Sequence, residues 1–323
     1  MPTISQSDLT TWTAGVFVHL GVHPPDASLI ARCLVDVDLR GIRSHGTRQL
    51  RRYVPEFRDG LISLRPEIQL LKDTGTTVRF DGDGGAGYLV ATRAVDLACE
   101  RAGEHGIALA TTRYHGHVGS KGIYARRAGP RGLISWSVAG GGPGWSPPAD
   151  PEATVWDAMS APAMCFGIPA SEGGPPLVLD MNANQFGGTP RVSEAIAAGF
   201  GKSVFGSLGM RFIATLLGGH LAGSGLDLPE RQYRGASRGF LFVAIDPGAI
   251  EDGQAFRDHV RYVIDETLKL PPIPGTDCPA LPGTLEWQRE RQWATEGIPL
   301  PDDHGSLLDG VAAELGIGPP PWR

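Results

Sequence analysis

Residues 77–117, TVRFDGDGGAGYLVATRAVDLACERAGEHGIALATTRYHGH, decide the fold class. Thr77–Asp81 has the residue types of a short strand. Leu89, Val90, Ala94, Leu97 and Ala98 recur at helical spacing and predict an amphipathic helix over 89–102, after which 107–112 returns to strand texture. The alternation predicts an α/β domain. The chain then turns through His115 and His117 into a short helix near 119–128 and a strand at 133–139. Both histidines therefore ride a strand-to-helix loop, where flanking elements hold side chains against a ligand.

Upstream, residues 1–70 read as helices. Ser5 or Ser7 can cap a helix through Leu20, and Asp26 a second one with Leu29, Ile30, Cys33, Leu34 and Val37 on one face. A third is expected from a capping Ser44 through Leu50, Tyr53, Val54 and Phe57 to Gly60, which places Ser44 and His45 at a helix mouth. Downstream, 140–150 (GGGPGWSPPAD) is too rich in Gly and Pro for regular structure and predicts a mobile connection or substrate loop. Strands follow near 166–169, 177–182 and 240–246, with helices near 192–200, 210–221, 249–270 and 283–294. The prolines between 271 and 282 predict an extended crossing back toward the first helices.

The bulk properties narrow the class of protein. A chain of 323 residues, 41% hydrophobic and 20% charged, can bury the cores of two packed domains without staples. Its formal charge of −6, without a long basic block, argues against a nucleic-acid surface. No uninterrupted run of about 18 apolar residues is present, and the first residues lack a basic segment followed by an apolar one, so a cytoplasmic protein without a membrane partner is expected. Cys33, Cys99, Cys165 and Cys278 lie far apart without C-x-x-C spacing and read as free thiols.

His117 is the first candidate for chemistry, because imidazole gives and takes a proton near neutrality. His115-x-His117 offers a metal alternative, alternate residues of an extended segment sharing one face, but further ligands are not evident. Ser44-His45-Gly46 offers a hydroxyl and an imidazole beside the favourable end of a helix dipole; the bland alternative is a capped helix with a surface histidine. A serine hydrolase is disfavoured, since neighbouring side chains on one helix do not face each other and no G-x-S-x-G elbow occurs. The glycine-rich 82–87 matches neither phosphate-binding motif in full, and an ordinary turn explains it equally well.

In order along the chain, SHGTRQLRRYVPEFRDGLI (44–62), GAGYLVATRAVDLACERAGEHGIAL (85–109), YHGHVGSKGIYARRA (114–128), PLVLDMNAN (176–184), LLGGHLAGSG (216–225), GFLFVAIDP (239–247) and PGTLEWQRERQWATEGIPL (282–300) resemble the type II malate/L-lactate dehydrogenases. That family also includes ureidoglycolate, sulfolactate and diketogulonate enzymes and cyclic-imine reductases. The resemblance implies a non-Rossmann α/β fold around a mixed sheet, residues 75–246, and a second helical domain from residues 1–74 and 247–323. It implies a homodimer, a small-molecule substrate, and NAD or NADP as cofactor. His117 would exchange a proton with the substrate oxygen or nitrogen while hydride moves between nicotinamide and the adjacent carbon, and Ser44, His45 and Tyr53 would line the substrate site. No metal is implied.

Departures from the family pattern are concentrated in ligand contacts. The arginine expected five residues after the S-H-G serine, suited to bidentate carboxylate capture, is Gln49, with Arg48 beside it. The family's K-G-Y-G becomes Gly206-Ser207-Leu208-Gly209, the small-residue segment after Asp180-Met181 becomes Asn182-Ala183-Asn184, and P-G-E becomes Pro282-Gly283-Thr284. Asp180, Met181, Asn182, Ser207, Gly209, Pro282 and Gly283 are thus the positions carried over as cofactor contacts, and Arg48 and Gln49 as substrate contacts. The stretch between Asp180 and Gly206 is also shorter than in the family. Two enzymatic readings follow: a dehydrogenase or reductase with an unusual substrate, or a redox-inactive relative using Ser44, His45, Tyr53 and His117 for isomerisation, elimination or cyclisation. A binding protein on an old scaffold is the third, and retention of those four side chains speaks against it.

Overall fold

A computed structural model describes residues 3–141, 147–224 and 232–322. Residues 142–146 of the expected loop at 140–150 lie outside the described residues; Gly140 and Gly141 end a strand and description resumes at Pro147.

The chain starts with β1 (Thr3–Ile4) and α1 (Gln6–His19), capped by Ser5, which accepts from the Asp8 amide at 3.0 Å. α2 (Pro24–Asp38) begins before the expected cap at Asp26, because Pro24 and Pro25 fit first-turn positions where the missing amide costs nothing. Two 3-10 turns, Arg43–His45 and Thr47–Gln49, precede α3 (Leu50–Arg58). Ser44 and His45 therefore occupy a tight turn, not a helix mouth, and Ser44 caps nothing. The reason is buried Asp38, whose Oδ2 accepts from the Thr47 amide and hydroxyl at 2.8 and 2.6 Å and draws the turn down onto α2.

A seven-stranded sheet has the order β2 (Gln69–Asp73), β3 (Thr77–Asp81), β4 (Ile107–His115), β8 (Arg238–Ile245), β5 (Ile134–Gly141), β6 (Ala163–Ile168) and β7 (Leu177–Asn182). β3 and β4 are parallel, joined across α4 (Gly87–His105), and all other neighbours are antiparallel, which makes the sheet mixed. β2 extends it into residues read as helical from sequence; every β2 side chain is exposed, so only pairing with β3 defines the strand. α5 (Gly122–Ala128) follows the histidine loop, and α6 (Thr189–Ala197) and α7 (Gly201–Thr215) follow β7.

α8 (Gly253–Thr267), α9 (Thr284–Glu296), β9 (Ile298–Pro299) and α10 (Asp302–Leu315) complete the chain; sequence periodicity did not single out α10. The proline-rich crossing meets β7, where Pro282 O accepts from Val178 N at 3.0 Å, and α9 returns to α2 through an Arg40–Glu290 ion pair of 2.6 Å. β9 pairs with β1, tying the ends together. One continuous core holds Phe17, Leu34 and Leu50 of the helices together with Phe80, Tyr88 and Phe240 of the sheet layer. Burial of such side chains stabilises by roughly 1.5–3 kcal/mol each.

α7 continues as a π-helical turn, Leu216–Leu221. Lys202 and Arg211 interrupt this segment, so it contains no unbroken apolar run, yet Gly201–Leu221 reaches a mean hydropathy of 1.2 and is long and apolar enough to cross a membrane by length and composition. In the structure it packs on β5, and Arg211 lies 4.6 Å over the Trp156 ring.

The end of β4 positions the histidine loop. Register against β8 shifts between Arg113 and His115, and Tyr114, at φ 52°, occupies the left-handed region rarely adopted by bulky residues. The glycine-rich stretch explains how the loop is held: Gly116 N donates to Gly85 O at 2.9 Å and Gly84 N to Tyr114 O at 3.0 Å. A Cβ on Gly87 would stand 2.6 Å from Gly116 O and 2.7 Å from His117 O. Residues 82–87 are thus the packing partner of the histidine loop, and their backbone approaches protein instead of phosphate. Gly87→Ala is expected to lower stability by about 1–3 kcal/mol and to shift the loop, read by urea unfolding and by the amide resonances of residues 115–118; an unchanged midpoint would contradict the packing argument.

Candidate active site

A cleft of about 320 Å³ opens beside the histidine loop. Its walls include Ser44 and His45 from the first 3-10 turn, His117, Ser120 and Lys121 from the loop after β4, Asp180, Met181 and Asn182 from the end of β7, and Arg238 from the start of β8.

Tyr53 projects from the buried face of α3, and its Oη lies 2.7 Å from His117 Nδ1 and 3.0 Å from Tyr88 Oη. The bond fixes the His117 ring and leaves Nε2 as its other nitrogen, and His117 lines the cleft. The rings of His45 and His117 are 5.7 Å apart. Ser44 Oγ lies 2.9 Å from His45 Nδ1, so these neighbours do face each other, which the helix assumption had excluded. The hydroxyl nevertheless meets Nδ1, the nitrogen that a serine hydrolase triad gives to its carboxylate. Ser44, His45 and His117 line the cleft, whereas Tyr53, expected to line it too, does not and joins the group through its hydrogen bond to His117 Nδ1.

Burial and nearby cations disfavour protonation of both imidazoles. Burial pushes the His117 pKa well below the ordinary histidine value, and Lys121, Arg52, His45 and Arg238 push the same way. Burial and Lys121 lower that of His45, and Asp180 opposes them. His115 does not share the cleft: it is fully buried, with Nε2 2.8 Å from Thr112 Oγ1 and Nδ1 2.8 Å from Gly116 O, so its nitrogens are occupied and cannot join His117 around a metal.

The remaining sequence candidates divide. Asp180, Met181 and Asn182 reach the cleft, and Asp180 Oδ2 also accepts from Ser120 Oγ at 2.6 Å and Gly122 N at 2.8 Å at the start of α5. Gly283 lines a smaller cavity of about 80 Å³ that shares Ile42 and Asp180 with the main cleft. Pro282 gives its carbonyl to β7. Ser207 is turned away; its hydroxyl donates to Ala183 O at 2.7 Å and accepts from Gln185 N at 3.0 Å, and Gly209 lies mid-helix in α7. Arg48 pairs with Asp303 of α10, and Gln49 donates to the Ser44 carbonyl, so neither lines the cleft. Lys121 and Arg238 do, although sequence reasoning passed over both. Lys121 stands four residues after His117 and had a signal in that spacing, whereas Arg238 was concealed in the approach to a strand.

Ala139, Ala163 and Asn182 stand opposite one another across β5, β6 and β7 and give the cleft a small-sided wall, whereas the Met181 side chain packs on the other face of the sheet with Met164. The three wall residues fit the flat ring and carboxamide of a nicotinamide.

The fold and cleft define an α/β enzyme scaffold in which a mixed sheet, without the Rossmann arrangement, presents a clamped histidine to a small-molecule site. The chain belongs to the malate/L-lactate dehydrogenase family, whose model matches residues 4–187 and 195–308. It is similar to the L-sulfolactate dehydrogenase of Methanocaldococcus jannaschii, 24% identical over 328 residues covering 94% of each chain. With the malate dehydrogenase of Pyrococcus abyssi it is 33% identical over 181 residues, 55% of this chain and 48% of that protein's length. The structure of malate dehydrogenase from Pyrococcus horikoshii OT3 superposes with a TM-score of 0.81 at 23% identity, covering 98% of this chain and 96% of the other.

Beneath the Ser44–His45 turn, burial pushes the Asp38 carboxyl up to about 7, against the lowering effect of the two Thr47 bonds. A carboxyl with a raised folded-state pKa favours the folded chain while protonated, so its contribution fades as pH rises from about 4 to about 7. Nearby His304, lowered to about 4 by burial, acts in the opposite sense below its ordinary value, and its contribution is common to wild type and an Asp38 variant. Asp38→Asn is therefore expected to gain stability relative to wild type across that window, by a few kcal/mol at most. Denaturant unfolding at successive pH values measures it, and parallel curves would contradict the charge cost assigned to Asp38.

Proposed function

We propose that the chain is a nicotinamide-dependent dehydrogenase or reductase that moves hydride to or from a carbonyl/hydroxyl or imine/amine carbon of a small carboxylate-like substrate, with His117 as acid–base residue. The observation that carries this reading is His117, which lines the cleft with Nδ1 clamped on Tyr53 Oη at 2.7 Å and so leaves Nε2 for a substrate.

In the oxidative direction the substrate hydroxyl donates to His117 Nε2, which takes its proton as the adjacent C–H bond breaks. Nδ1–H then donates to Tyr53 Oη and steadies the imidazolium. Ala139, Ala163 and Asn182 would hold a nicotinamide, which would supply the hydride acceptor or donor. In the reductive direction the imidazolium returns the proton to oxygen or nitrogen. Its low pKa makes it a strong acid for that step and a weak base for the reverse. His45, tied to Ser44, is placed to hydrogen-bond the same substrate.

The small wall and Asn182 support a cofactor position, with the choice between NAD and NADP left to the nucleotide's far end. Ile196, Phe200, Phe205 and Ile213 are exposed along α6, α7 and their connection and supply an apolar face for the expected homodimer.

The second reading, proton transfer without hydride transfer, draws on Ser207 and Gly209 lying away from the cleft. Titration with NADH and NADPH, followed by energy transfer from the seven tryptophans, separates the two. Saturable binding is expected, and its absence with both nucleotides favours the second. His117→Ala is expected to lower kcat by roughly 10²–10⁴-fold with the melting temperature preserved; retained turnover would remove His117 from its role. Because the His117 base form persists below the ordinary histidine pKa, the acid limb of the oxidation rate in the free enzyme should fall well below pH ~6.5. A limb at or above that pH would contradict it.

A further inference from the structure

The strongest uncommitted chemistry in the cleft is cationic. Lys121 is 4% exposed, yet it lines the cleft, and the single hydrogen bond shown for its ammonium goes to Gly119 O at 2.9 Å. Arg238 begins central strand β8, in register with His115 on one side and Gly141 on the other. Its guanidinium forms no hydrogen bond or ion pair among the described residues. Of the carboxylates that act on these cations, Asp180 has its Oδ2 held by Ser120 and Gly122, and Glu56 pairs with Arg52 at 2.7 Å. With both imidazoles neutral, the charged lining is two cations against one carboxylate, a net excess of one positive charge.

The cations beside the S-H-G turn do not supply this charge. Arg48 is paired with Asp303, and position 49, where the family resemblance implies an arginine, holds a glutamine bonded to the Ser44 carbonyl. We propose that this chain has moved its substrate-anion site across the cleft, and that Arg238 and Lys121 hold the substrate's carboxylate from the β8 and α5 side of His117. The guanidinium offers paired donors in one plane and the ammonium the donors left free by Gly119. A carboxylate so held directs the carbon next to it toward His117 Nε2, which selects anionic substrates over their esters and amides. The inference rests on the small-carboxylate reading above and adds which residues read the charge.

The test measures binding without turnover. Oxalate and its uncharged counterpart oxamide are titrated into the full chain by calorimetry, with and without NADH or NADPH. Wild type is expected to bind oxalate at least about ten-fold more tightly than oxamide. Arg238→Gln and Lys121→Gln should each weaken oxalate by about ten-fold or more and leave oxamide unchanged, Arg238→Lys should recover part of the loss, and Arg48→Gln should match wild type. Should the buried Lys121 variant fail to fold, the Arg238 pair decides alone. Unchanged oxalate affinity in Arg238→Gln, a loss confined to Arg48→Gln, or no preference for oxalate in wild type overturns the proposal. Failure of the nicotinamide reading shows separately, as absent nucleotide binding with the oxalate pattern intact.

Discussion

The site depends on one hydrogen bond, 2.7 Å between Tyr53 Oη and His117 Nδ1, which joins residues 64 apart in sequence. Tyr53 is carried by α3 in the helical layer, and His117 by the loop that leaves the sheet at β4. The bond survives only while those layers keep their separation, so the shared core beneath them is also what aims the imidazole. Tyr88, from the first turn of α4, closes the other end of the chain of hydroxyls at 3.0 Å. The same turn packs Gly87 under the backbone of residues 116 and 117, so one element fixes the loop from below and its hydrogen-bond partner from the side.

Electrostatics follows from that placement. Burial of the rings and the nearby Lys121 both disfavour a charged imidazole at His117 and at His45. With His117 and His45 uncharged, Lys121 and Arg238 stand against the single carboxylate of Asp180, and the one positive charge left over suits a cleft meant to receive an anion. Asp180 carries one negative charge and so cannot neutralise both, and its Oδ2 is also bound to Ser120 and to the start of α5.

Elements with a strong apolar period were legible in the sequence: α4 with Leu89, Val90, Ala94 and Ala98 buried, β3 at Thr77–Asp81 as expected, and the Leu50, Tyr53, Val54 and Phe57 stripe of α3. β2 was not legible, since a strand with no buried side chain leaves no alternation to read. The start of α3 was misplaced because buried Asp38, far upstream, bends the Ser44–Gln49 segment into 3-10 turns. Periodicity cannot report such a contact. The Ser44, His45, Tyr53 and His117 constellation was visible through motif order, whereas Arg238 was not, because its access to the cleft follows from strand order β4-β8-β5.

Gln49, where the family resemblance implies an arginine, and Arg238 and Lys121 in the cleft fit one arrangement, in which the S-H-G turn is anchored to α2 and α10 and the cations that line the cleft come from other elements. The most direct measurement of the central claim is the protonation state of His117 itself, followed by nitrogen-15 chemical shifts of labelled histidine across a pH titration and assigned with His117→Asn. The account predicts a ring that remains neutral well below the ordinary histidine range, and a Tyr53→Phe variant whose His117 tautomer balance changes. A His117 that titrates like a free histidine, indifferent to loss of the Tyr53 hydroxyl, would contradict it.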